Sequence, residues 1–88
     1  MEPTAITLVS QLITDARTRF GAHEVEALAV SAQMLDETMD HVLSIGGRVT
    51  TDTCFVDGVE VRELPPGVEA PLAYVRGDAA PRTLDEST

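Results

Sequence analysis

Apolar residues recur along the start of the chain at alternating steps of three and four, at Ile6, Val9, Ile13, Ala16 and Phe20. That spacing keeps them on one face of an α-helix, and Leu8 and Leu12 widen the stripe. Pro3 suits the first turn, where its missing N–H is not needed. Gly21 suits the end, because glycine accepts the backbone conformation that closes many helices. The next segment, AHEVEALAVSAQMLDETMDHVLSIGG, carries the same period through Val25, Leu28, Ala32, Leu35, Met39 and Val42 and stops at Gly46 and Gly47. Two helices with so short a link predict an antiparallel helical hairpin. Opposite the main stripe of the second helix, Ala27, Val30 and Met34 form another apolar strip. A helix apolar on two sides needs two partners, one of them a second copy of the chain or a different protein.

After the paired glycines the period changes from helical to alternating. In RVTTDTCFVDGVEVREL the dipeptide Asp57-Gly58 predicts a two-residue hairpin turn with positive φ at both central positions. The register that follows pairs Val56 with Val59 and Cys54 with Val61 on one face. It pairs Phe55 with Glu60 and Thr53 with Arg62 on the other. The prolines of LPPGVEAP exclude helix and central strand. Leu72 to Arg76 then fits a short third strand, and beyond Gly77 the lack of apolar period predicts a mobile tail. The expected fold is therefore α+β: an N-terminal antiparallel helical hairpin, a small antiparallel β-hairpin or three-stranded meander, and a disordered C-terminal tail. Residues 1–76 form one small domain in this reading, and residues 77–88 the flexible tail.

Composition narrows the chemistry. The 88 residues include no tryptophan, one tyrosine and two phenylalanines, so the core must be aliphatic. The formal net charge is −9. Because cationic side chains supply most non-specific affinity for phosphate backbones, direct binding to nucleic acid is not expected. All six basic residues are arginine, as codon usage in a GC-rich bacterial or phage genome would favour. The lone Cys54 excludes an internal disulfide and fits a reducing compartment. An acid stands where a signal peptide has basic residues, and no stretch approaches the roughly 20 apolar residues needed to span a bilayer. A cytoplasmic protein without membrane contact is the expectation.

The stretch from Met34 to Gly47 raises the question of a site, since Asp36, Glu37, Asp40 and His41 fall close together. Glu37 and His41 are four apart, as are Asp36 and Asp40, so each pair shares a helical face. Zinc asks for three or four ligands rich in nitrogen or sulfur, however, and the chain has two histidines and one cysteine. On one continuous helix His23 and His41 would lie roughly 27 Å apart at about 1.5 Å per residue. They would share a face, so only an antiparallel dimer centred near Ala32 would bring His23 to the His41 of its partner. Cys54 falls on the inner face of the hairpin, where a small thiol is core material. No P-loop, dinucleotide fingerprint or carrier-protein Asp-Ser-Leu occurs, so neither cofactor nor resident metal is expected.

What remains is a surface. The second helix carries Glu24, Glu26, Asp36, Glu37 and Asp40 with no lysine or arginine, and Val30 and Met34 stand ready as apolar anchors. These seven residues are the expected partner-binding set. In size and charge the chain resembles small acidic inhibitors, such as nuclease immunity proteins and phage anti-defence proteins, a likeness that implies a non-catalytic inhibitor or regulator meeting the basic surface of a nucleic-acid-binding partner. The alternatives are a structural homodimer or assembly subunit that uses the second apolar strip on itself, and a small metal-dependent enzyme built on His23 and His41.

Overall fold

A computed structural model of the protein describes residues 4–84. Its elements are α1 (Ala5–Phe20), β1 (Val25–Val30), α2 (Ala32–Ser44), β2 (Cys54–Val56), β3 (Val59–Glu63), β4 (Leu72–Val75) and β5 (Arg82–Thr83). The strands form a single five-stranded sheet in the order β2-β3-β1-β4-β5. β1 runs parallel to β3 and antiparallel to β4, which makes the sheet mixed. The chain is thus α+β as expected, with a different arrangement inside that class.

The first helix follows its sequence pattern. Thr4 accepts a hydrogen bond from the N–H of Thr7 at 3.4 Å, Val9, Ile13 and Ala16 are buried, and Gly21 at φ +107° ends the helix. Pro3 lies outside the described residues.

The second expected helix is divided. Val25–Val30 forms the central strand, and helix begins only after Ser31, whose hydroxyl accepts the N–H of Met34 at 3.3 Å. The run Ala27-Leu28-Ala29-Val30 is apolar on both faces of the strand and is buried throughout, and a run of that kind also satisfies a helical template. A bulge sharpens the ambiguity. The pairing of β1 with β4 shifts register between Val25 and Ala27, so Val25 and Leu28 both face the core despite being three apart. That spacing imitates helical periodicity. There is consequently no helical hairpin: a strand separates α1 from α2, and both helices pack on the same side of the sheet.

The β-hairpin forms in the expected register, with Val56 opposite Val59, Phe55 opposite Glu60 and Cys54 opposite Val61. Asp57 at φ +52° and Gly58 at φ +80° supply the two positive φ angles of its turn. The ladder stops at Cys54, because Thr53 turns back to receive the N–H of Thr50 on its carbonyl at 2.8 Å. Leu72–Val75 is the expected third strand, but it pairs with β1 rather than extending the hairpin into a meander. The expectation of a structureless tail from Gly77 fails over Arg82–Leu84. Arg82 and Thr83 pair with β4, and Leu84 is 2% exposed in the core, its N–H donating to the carbonyl of Pro71 at 2.8 Å. One buried leucine ties this end of the chain to the fold, a signal too small for periodicity to register. The last four residues, 85–88, lie outside the described part.

The core lies between the helices and one sheet face, with Val9, Ile13, Leu35 and Val42 against Leu28, Val30, Val61 and Leu84. Among the described residues no helix covers the other face. There Ala29 pairs with Arg62 on β3 and Leu72 on β4, while Ala27 pairs with Glu60 and Tyr74. The guanidinium of Arg62 crosses β1 to sit 4.7 Å from the centre of the Tyr74 ring and also pairs with Glu60. This bridge explains why Ala27 and Ala29 are 2% and 0% exposed on an otherwise open face.

Candidate functional site

The seven residues expected to bind a partner do not form one surface. Glu24 and Glu26 are exposed at the start of β1, whereas Asp36, Glu37 and Asp40 are exposed on α2. Glu26 is the second residue of β1, and four strand residues and Ser31 stand between it and the first residue of α2. Glu26 also has a cation of its own, the Nε of Arg76 at 3.6 Å. Val30 is fully buried, so it belongs to the core and not to an interface. Met34 is half-buried. It packs against the core and lines a groove of about 540 Å³ with Leu8, Leu12, Pro71 and Leu84. The second apolar strip of Ala27, Val30 and Met34 is therefore consumed within the monomer.

The trio on α2 survives as a surface. Asp36, Glu37 and Asp40 project away from the buried stripe of Leu35, Thr38 and Val42. Thr38 satisfies its buried hydroxyl by donating to the carbonyl of Met34 at 2.7 Å, so nothing polar on the inner side competes for the acids. Leu43 continues the row of Asp36 and Asp40 at the i+7 position and is 61% exposed; Ile45, just past the helix, is 69% exposed. The sequence reading does not single out these two side chains: Leu43 falls off the buried stripe of α2, whereas Ile45 continues its spacing three residues after Val42 and is exposed because the helix ends at Ser44. Glu63 and Glu69 approach the helix from its N-terminal end, where they line a shallow cavity with Ser31 and Ala32.

Among the described residues, ion pairing leaves this surface uncompensated, as it also leaves Glu24, Asp52, Asp57, Glu63 and Glu69. Every arginine of the chain is engaged within the fold. Arg19 holds Asp15 at 3.2 Å, Arg62 pairs with Glu60, Arg76 with Glu26 and Arg82 with Asp78. Arg17 donates to the carbonyl of Asp57 at 2.7 Å, tying the end of α1 to the hairpin turn, and its Nε is buried without a partner. Arg48 lies 5.0 Å from the centre of the Phe55 ring. Among the described residues no cation is within ion-pair distance of Asp36, Glu37 or Asp40.

The catalytic alternatives find no constellation. His23 sits in the turn before β1 and His41 on α2, so the continuous helix that would place them on one face does not exist. Among the described residues no group of three His, Cys, Asp or Glu side chains is arranged to hold a metal ion. Cys54 is buried in the core, and desolvation pushes its thiol above the usual value of 9.0, away from a reactive thiolate. The Asp78 carboxyl is held below its ordinary range by the hydrogen bond from Arg82, as befits a surface pair. No described helix is long and apolar enough to cross a membrane.

Comparison of the chain with protein-family models, with curated proteins and with solved structures finds no match.

Proposed function

We propose that this protein is a non-catalytic, acidic protein-protein interaction module of the cytoplasm, an inhibitor or regulator that binds the basic surface of a nucleic-acid-binding partner through the outer face of α2. One observation carries the reading: the arginines are all engaged elsewhere while Asp36, Glu37 and Asp40 stay without a cation beside the exposed side chains of Leu43 and Ile45. Folding gains nothing from this arrangement. Asp36 and Asp40 repel at i,i+4 by about 0.2 to 0.5 kcal/mol, and Asp40 approaches the negative end of the helix. A cationic partner converts that repulsion into attraction, and a desolvated aliphatic pair at the end of the acidic row supplies the anchor. A protein that blocks a nucleic-acid groove in this way needs neither cofactor nor metal, and its own charge keeps it off nucleic acid.

The homodimer reading is favoured by a different feature, the open outer face of the sheet. Five strands about 4.8 Å apart and about four residues long present roughly 300 Å², well under the ~800 Å² per partner of a stable interface. The Arg62 and Tyr74 bridge already covers its centre. We therefore place the partner on α2.

Affinity capture from host lysate tests the proposal, with wild type compared against the triple variant Asp36→Asn, Glu37→Gln, Asp40→Asn. Wild type retains a basic protein that elutes as salt rises, and the triple variant fails to retain it. Equal retention by both proteins removes α2 from the interface.

A further inference from the structure

We draw no further inference here: the strongest candidate, the apolar groove between α1, Met34, Pro71 and Leu84, carries nothing because no feature of the structure shows what covers it.

Discussion

Val30→Ala distinguishes the observed fold from the continuous helix that periodicity suggests, because the two assign the change opposite signs. Val30 is fully buried on the central strand and faces the helices. Removing two carbons forfeits about 1.6 kcal/mol at roughly 0.8 kcal/mol per methylene. A residual space of roughly 50 Å³ adds about 1.2 kcal/mol at ~24 cal/mol per Å³, less whatever the neighbours recover by relaxing. The expected loss is about 2 to 3 kcal/mol, from a total of about 4 to 13 kcal/mol for a chain of this length. In urea, with a slope of about 1 to 2 kcal/mol per M, the unfolding midpoint falls by roughly 1 to 3 M. On the solvated strip of a helix the same substitution would raise stability by a few tenths of a kcal/mol, since alanine is the better helix former. Equilibrium unfolding followed by circular dichroism reads the difference directly. A midpoint that stays put or rises refutes the strand.

Four further outcomes follow from the same structure. Leu84→Ala lowers stability by about 2 to 4 kcal/mol in the same urea assay if the chain end is part of the core, and by next to nothing if it is a loose tail. Arg62→Ala, which uncovers Ala27 and Ala29, changes the emission of Tyr74, the one tyrosine in a chain without tryptophan, while the fold persists by circular dichroism. Cys54 resists thiol reagents in the native protein and reacts on unfolding. Because burial raises its folded pKa, its contribution to stability is full below pH 9 and is lost as pH climbs from the ordinary value of 9.0 through the higher folded one, which a urea midpoint measured at increasing pH detects. The triple neutralisation of Asp36, Glu37 and Asp40 leaves folding unharmed and at low salt strengthens it by about 0.5 kcal/mol, measurable as a small rise in Tm.

Legibility in the sequence tracked how local each determinant is. The α1 stripe, the glycine at its end and the Asp57-Gly58 hairpin with its register all depend on residues within a few positions of one another, and all were readable. Fold class was readable for the same reason. Val25 to Val30 was not, because a strand buried on both faces and carrying a bulge places apolar residues where a helix would. Ser31 marked the true helix start, but without an acid three positions later its capping signal competed with an uninterrupted apolar period. Strand order and the parallel pairing of β1 with β3 are non-local and leave no trace in spacing. Within the candidate site, the exposure of Asp36, Glu37 and Asp40 followed from the α2 pattern alone. The expectation that Glu24, Glu26 and Val30 share one helix with the later acids fails because of the missed strand, and so does the placement of His23 and His41 on one helical face.

The claim that α2 is the interaction surface is tested most directly by an amide-resolved footprint of the captured basic protein on isotopically labelled protein. The account predicts shifts concentrated at Asp36, Glu37, Asp40, Leu43 and Ile45, fading as salt rises, with Glu24, Ala27 and Tyr74 unmoved. Shifts gathered instead at Ala27, Arg62 and Tyr74 would contradict it and move the interface to the open face of the sheet.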